Sequence, residues 1–471
     1  MNYYILTLGC PKNSVDSEGM DGLLDAQGHT HVATPEAADA IIVNTCSFIA
    51  AAREETLEVL RDLGRHKRKG QRLIAAGCMA QSHAELVQAI PGVDALLSTQ
   101  QWMHIGQVIA QPTAATHANG LPVIDRQPAA RRELPVIDLQ PIAPPALPID
   151  PQPAGYADWR TTQIRRTTTA PSAYLKISDG CNLRCAFCTI PSFKGDMRSK
   201  SVAAVLAEAR ELVAQGVREI ILVAQHLTDY GRDLGLDEGL AHLLDELCTI
   251  VPTTTWIRLM YAYPHGVSAR LIATMARHPQ ICRYLDMPLQ HAHPATLRRM
   301  RRPPDTPNTL RIIADLRTAM PDITLRSTFI VGFPGETTEE FRALSDFLTT
   351  VQFDRVGVFR YSSESETPAA TLPDQVRHRV TERRWHELMR LQQEISYQQN
   401  QRWVGREIEV LIEGQGETDD GQPLAVGRSF RDAPEIDGQV FVWGDIPIGT
   451  RIVARVANAT DYDLWGEAVR A

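Results

Sequence analysis

The sequence predicts an α/β protein in three parts: an N-terminal parallel α/β domain carrying three cysteines (residues 1–110), a central partial (β/α)6 barrel (167–400) and a C-terminal small antiparallel β-barrel (402–471). Three observations predict it. Apolar strand-like runs alternate with helical patterns on both sides of residues 111–155. That intervening segment holds ten of the chain's thirty prolines and can build neither a helix nor a central strand, so it is read as an extended, semi-rigid linker. Beyond residue 402 the apolar spacing changes to period two between glycine-rich turns.

In the first part YYILTLG, IIVNT and RLIAAG read as strands, separated by helices from about residue 14 to 26 and from about 50 to 67. Strand-helix-strand order makes the sheet parallel. In the second part strands are expected near AYLKIS, REIILVA, WIRLMY, YLDMPL, ITLRSTFIVG and RVGVFRYS. The helix VAAVLAEARELVAQ starts near Ser201 and stops at Gly216, and ERRWHELMRLQQEISYQQNQ closes the part. The third part has REIEVLIEG, PLAVGRSF, GQVFVWG and GTRIVARVANATDYDLWGEAV as its alternating runs.

With 471 residues the chain exceeds one compact core, and 44% apolar with 22% charged residues is an ordinary globular composition. No apolar run approaches the roughly 20 residues of a membrane span. The opening MNYYILTLGC has no basic n-region or cleavage-like site, so it is read as a first strand and the protein is expected in the cytoplasm. Eight cysteines in a reducing compartment point to metal binding or catalysis in place of a disulfide framework. A net charge of −8 argues against a general nucleic-acid binder.

CNLRCAFC places Cys181, Cys185 and Cys188 on one loop directly after the strand AYLKISDG. In barrels of this kind chemistry sits at the carboxyl ends of strands. A closed zinc site takes four protein ligands, and no fourth Cys or His lies at ribbon spacing. Three thiolates suit a 4Fe-4S cluster that keeps one iron free of protein, with a zinc knuckle as the alternative. Phe187 is read as an aromatic that shields the cluster. The motif with its aromatic resembles that of the radical S-adenosylmethionine (SAM) superfamily, whose partial (β/α)6 barrel carries this loop after its first strand. The resemblance implies that the open iron chelates SAM, and that one electron cleaves its C–S bond to give a 5'-deoxyadenosyl radical.

Cys10, Cys46 and Cys78 each follow a strand of the first part, so a parallel sheet lines them along one edge, where open α/β folds place ligands. Separate burial as small apolar residues is the alternative. Cys248 and Cys282 have no partner at ligand spacing and are assigned to packing.

A three-cysteine domain, a radical barrel and a small β-domain together resemble the methylthiotransferases over nearly the whole chain, through LGCPKNSVDSE, VNTCSF, AGCMAQ and VGFPGET. The resemblance implies a second 4Fe-4S cluster on Cys10, Cys46 and Cys78 whose free iron carries the inserted sulfur. One SAM would then serve as methyl donor and another as radical source, with an electron donor and a sulfur source as further partners.

Gly332, Gly335 and Glu336 end a strand in GFPGE and are candidates for cofactor contact, as is Gln225 at the end of REIILVAQ; an ordinary turn is the alternative. The superfamily's frequent Gly-Gly-Glu motif is absent there. His226, His291 and His293 are read as packed or solvated, and Arg298, Arg299, Arg301 and Arg302 as a solvated face.

Methylthiotransferases include enzymes acting on a transfer-RNA adenosine and enzymes acting on an aspartate of a ribosomal protein. Residues 402–471 hold seven arginines and no lysine against thirteen acids, a poor balance for phosphates and a good one for a basic protein. GRSFRDAPEIDG and YSSESETPA also resemble the ribosomal-protein branch. The expected activity is therefore addition of a methylthio group to the β-carbon of an aspartate on the twelfth protein of the small subunit. The transfer-RNA reaction and a non-catalytic metal protein that binds a ribosomal partner are the alternatives.

Overall fold

The computed structural model describes residues 1–110, 158–166 and 170–469, so the proline-rich segment 111–155 lies outside the described residues. The chain divides into two compact units, residues 1–166 with 192–194, and residues 167–191 with 195–471.

In the first unit β1 (Asn2–Thr7), β2 (Thr30–His31), β3 (Ala40–Thr45), β4 (Arg72–Gly77) and β5 (Ala95–Ser98) pair in parallel in the order β2-β1-β3-β4-β5. β3 and β4 are buried throughout, as continuous apolar strands covered on both faces must be. Ile42, Ile74 and Leu97 pack with Trp102 in one apolar layer; Ile41, Val43, Leu73 and Leu96 belong to the other. Trp159 and Ile164, beyond the proline-rich segment, join the first layer. The first helix starts at Pro11, earlier than its apolar periodicity indicates, because Cys10 takes the extended N-cap conformation and Pro11 has the fixed φ suited to the first helical position.

The second unit contains β6 (Ser172–Lys176), a short ladder of β7 (Ser178–Asp179) with β8 (Arg198–Ser199), then β9 (Glu219–Val223), β10 (Trp256–Leu259), β11 (Ile281–Asp286), β12 (Thr324–Val331) and β13 (Arg355–Arg360). Six of these form one parallel sheet in the order β13-β12-β11-β10-β9-β6, the partial (β/α)6 barrel predicted from the alternation. Between β6 and β9 the helix Val202–Ala214 begins where the Ser201 hydroxyl accepts the Ala204 N–H at 3.2 Å. Alternate strand residues, among them Leu175, Leu222, Leu259, Leu285, Leu325 and Phe329, join the large apolar core. Period two turns Ser172, Glu219, Arg258, Tyr284 and Arg326 to the opposite face.

β14 (Glu407–Glu417), β15 (Pro423–Ser429), β16 (Val440–Trp443), β17 (Arg451–Ala459) and β18 (Leu464–Ala468) close a barrel. Four of its ladders are antiparallel and the fifth, β16 with β18, is parallel. Closure leaves no exposed sheet edge. The segment following β15 seats this barrel on the amino ends of the larger sheet. Arg428 Nη2 donates to Glu219 Oε2 at 2.5 Å, Arg258 Nε donates to Glu219 Oε1 at 2.6 Å, and Arg258 Nη1 donates to the Phe430 carbonyl at 2.7 Å. Arg355 pairs with Asp432 at 2.7 Å, and Asp437 accepts the Tyr284 hydroxyl at 2.7 Å. GRSFRDAPEIDG is thus a docking segment whose charged groups are largely enclosed.

Candidate active site

β1, β3 and β4 are neighbours in the first sheet, and Cys10, Cys46 and Cys78 lie just beyond their carboxyl ends. Cys46 and Cys78 are buried and Cys10 is half-buried. Gly9, at φ +97°, lets Cys46 approach the chain: a Cβ there would stand 2.8 Å from the Cys46 Sγ. Asn13 fastens the three strand ends. Its Nδ2 donates to the Leu8 carbonyl at 2.8 Å and the Thr45 carbonyl at 3.1 Å, while its Oδ1 lies 3.8 Å from the Cys78 Sγ. Asn44 Nδ2 in turn donates to the Asn13 carbonyl at 2.9 Å, and the Thr45 hydroxyl accepts the Met79 N–H at 3.1 Å. Burial pushes the Cys46 thiol up, and the neighbouring Cys10 adds to the shift.

In the second unit the chain leaves β6 and β7 through Gly180, where φ is +82° and a Cβ would meet the Asp196 carbonyl oxygen at 2.3 Å. Cys181 N–H donates to the Gly195 carbonyl at 3.1 Å, Ala186 N–H to the Met300 carbonyl at 2.9 Å, and Ala369 N–H to the Ala186 carbonyl at 2.9 Å. These bonds pin the cysteine loop at both its start and its centre. Cys181 and Cys185 are buried and Cys188 is half-buried. The Cys188 thiol is pushed up to about 12, chiefly by burial, with Cys185 and Cys181 contributing to the rise. Cys181 and Cys188, both pushed up by burial, need added positive charge before they ionise, which bound iron would supply. Among the described residues no group of His, Cys, Asp and Glu is placed to hold a single metal ion. Three cysteine thiols on one pinned loop are the donor set of a 4Fe-4S cluster that keeps one iron free of protein.

Phe187 meets Phe333 edge-on at 6.4 Å, bringing the aromatic of the cysteine loop to the GFPGE turn. Gly332 and Gly335 both have φ near +75°, and a Cβ on Gly332 would strike the Thr381 hydroxyl at 2.1 Å. The buried Glu336 carboxylate holds that turn, accepting the Gly332 N–H and, at 3.1 Å, the Phe333 N–H; Arg384 lies 3.4 Å away. Its second oxygen faces His291 Nε2 at 3.7 Å. Gln225 Nε2 donates to Asp179 Oδ1 at 2.8 Å, beside Lys176 at 3.7 Å from the same carboxylate. His226 and His291 are buried, so packing describes them and solvation does not.

The solvated-face reading of the arginine run holds for Arg298 and Arg301 and is corrected for Arg302. Arg302 is 9% exposed, its Nη1 lies 3.7 Å from the Cys185 Sγ, and its guanidinium stacks 4.5 Å over the Tyr263 ring. The Pro288 carbonyl accepts from its Nη2 at 2.6 Å. A four-arginine run carries no sign of which member turns inward; here Arg301 at φ +55° kinks the chain just before Arg302. Arg302 also borders a cavity lined by Tyr263, His265, His291 and Thr306.

Comparison with known proteins agrees with this anatomy. Residues 2–98 match the family described as uncharacterized protein family UPF0004, residues 175–348 the radical SAM superfamily, and residues 404–469 the TRAM domain. The radical S-adenosylmethionine methyltransferase TsrM of Kitasatospora setae shares the fold at 15% identity, with a TM-score of 0.53 over 78% of this chain and 76% of that one. Ribosomal protein uS12 methylthiotransferase RimO of Chloroflexus aurantiacus is 70% identical over the full length of both chains, that of Herpetosiphon aurantiacus 59% over the full length of both, and that of Geobacter sulfurreducens 41% over 99% of this chain and 98% of that one. Fold, cysteine loop and family matches define a radical SAM enzyme of the methylthiotransferase class, which implies SAM and a 4Fe-4S cluster. The chain belongs to the RimO family of ribosomal protein uS12 methylthiotransferases.

Proposed function

We propose that this protein adds a methylthio group to the β-carbon of an aspartate of ribosomal protein uS12. Cys181, Cys185 and Cys188 hold the radical SAM cluster and Cys10, Cys46 and Cys78 a second 4Fe-4S cluster, within domains bounded at 1–110, 167–400 and 402–471. The observation that carries this reading is the placement of three buried or half-buried cysteines at strand carboxyl ends in each unit of a chain of this family. When bound, the clusters and SAM supply hydrogen-atom abstraction and the sulfur that is inserted. The chain's own residues place and shield these groups. Gly180 and Gly9 allow the close approaches, Asn13 joins three strand ends, and Phe187 with Phe333 keeps water from one side of the loop. Gln225, Gly332, Gly335 and Glu336 stand as the proposed SAM side of the site, with Glu336 acting by holding the turn. A cytoplasmic electron donor and a sulfur source complete the reaction.

The test is to incubate the reconstituted, reduced protein with SAM, sulfide and either uS12 or transfer RNA, and to locate the methylthio group by mass spectrometry. Product on uS12 and about eight irons per chain are expected, two clusters of four. Product on RNA alone, or one zinc with no sulfide, overturns the assignment.

Arg302 gives a second measurable consequence. A guanidinium N–H aimed at a cysteine sulfur, with its positive charge, raises a cluster's reduction potential. Arg302→Met is expected to make the midpoint potential of the radical SAM cluster more negative, read by redox titration with electron paramagnetic resonance. Arg302→Lys keeps the charge without the fork that also reaches the Pro288 carbonyl, and should fall between the two. An unchanged midpoint in Arg302→Met counts against this role.

A further inference from the structure

Three aromatic rings share the outer face of the C-terminal barrel. Phe441 and Trp465 are registered neighbours on the parallel ladder of β16 and β18 and stack at 4.5 Å with planes 25° apart. Trp443, the next outward position of β16, lies 5.7 Å from Trp465. The intervening Val440, Val442 and Leu464 fill the barrel core, so the rings face outward. Trp443 is 38% exposed.

Three other tryptophans are covered by the protein's own cations: Arg451 over Trp256, Arg360 over Trp385, and Arg431 over Trp403. Among the described residues no cation lies over Trp443 or Trp465. Carboxylates surround this end of the barrel. Glu467 is the registered neighbour of Trp443, Asp445 follows it by two residues, and the hairpin bearing Glu417, Asp419 and Asp420 joins β14 to β15 at the same end. All five are exposed.

Uncovered indole faces at a barrel end with five exposed carboxylates, although Arg455 is the registered neighbour of Glu467 on its other side, match an ammonium or guanidinium twice over, by cation–π attraction and by charge. A stacking platform could also take single-stranded bases, but thirteen acids against seven arginines in residues 402–471 repel the phosphates that dominate such binding. Resting on the uS12 reading, we infer that the Phe441–Trp465–Trp443 stripe is a docking surface for a Lys/Arg-rich segment of the protein substrate. Trp443 anchors the contact, as exposed tryptophans at interfaces commonly do. Glu467 and Asp445 set its sign preference.

The full-length reconstituted protein tests this with purified uS12, a single-stranded RNA oligonucleotide, and the variants Trp443→Gln and Glu467→Gln. Trp443→Gln is expected to weaken uS12 binding about tenfold, the size of one desolvated cation–π contact. KM for uS12 should rise in proportion while kcat and SAM cleavage without uS12 stay unchanged. Glu467→Gln should reduce the salt dependence of binding. Native affinity for uS12 in both variants overturns the proposal, as does a loss confined to RNA binding. If the unaltered protein modifies no uS12, the substrate reading fails and this surface fails with it; if it does and Trp443→Gln modifies uS12 with an unchanged KM, only the surface fails.

Discussion

Replacing Cys185 with alanine is expected to abolish reductive cleavage of SAM, whereas Cys46→Ala should leave cleavage and stop sulfur insertion. The two cysteines sit in separate compact units, each with its own apolar core. Cys185 stands at the centre of a loop pinned by Gly195, Met300 and Ala369, and it is the sulfur that Arg302 addresses. Loss of a direct ligand should exceed the roughly 100-fold effect that outer partners of a metal site can cause. Cys46 sits on the Gly9 backbone and accepts the Thr56 hydroxyl through its carbonyl, contacts that an alanine backbone retains, so the first unit should keep its fold. Chromatography of 5'-deoxyadenosine reports cleavage and mass spectrometry of uS12 reports insertion. If both variants lose cleavage, the two triads do not divide the work in this way.

Glu219→Gln should destabilise the second unit by about 3–5 kcal/mol, the usual cost of removing one partner from a buried ion pair. The Glu219 side chain is fully enclosed between Arg258 and Arg428. Burial alone would raise its carboxyl, but the two guanidiniums more than offset that and hold it at about 2, below the ordinary 4.5. Between those values the folded group binds fewer protons than the unfolded one. Its contribution, on the order of 3 kcal/mol, is therefore complete above about pH 4.5 and lost as pH falls toward 2. The glutamine variant should show a lower urea midpoint at neutral pH and a shallower loss of stability in acid. The exposed pair Arg455–Glu407, at 2.8 Å, is the control, and breaking it should cost under about 1 kcal/mol. Equal effects from the two substitutions would refute the difference argued from burial.

Much of this anatomy is legible in the sequence because strand order alone carries the cysteines to one end of each sheet. A parallel strand followed directly by Cys has one outcome for that residue, and the adjacency of β1, β3 and β4 then makes neighbours of residues far apart in the chain. Pairing and burial are harder to read. β5 escapes because ALLS is a four-residue apolar run without alternation, and nothing local separates it from a helix fragment. Arg302 escapes because direction depends on a single positive-φ residue before it. The acid count of the C-terminal barrel is correct as a sum yet mixes two populations. Asp432 and Asp437 face buried partners in the docking segment, whereas Asp445 and Glu467 face water.

That docking segment also sets what can be exchanged among relatives by recombination. Grafting a foreign barrel at residue 402 is a natural way to redirect such an enzyme, since the TRAM match begins at residue 404. A graft without counterparts of Arg428 and Asp432 leaves Glu219 with Arg258 as its single cation and takes from the buried Arg355 its paired carboxylate. The transferable cassette is therefore the small barrel together with the floor it stands on, and a crossover drawn at a domain boundary cuts through the middle of it.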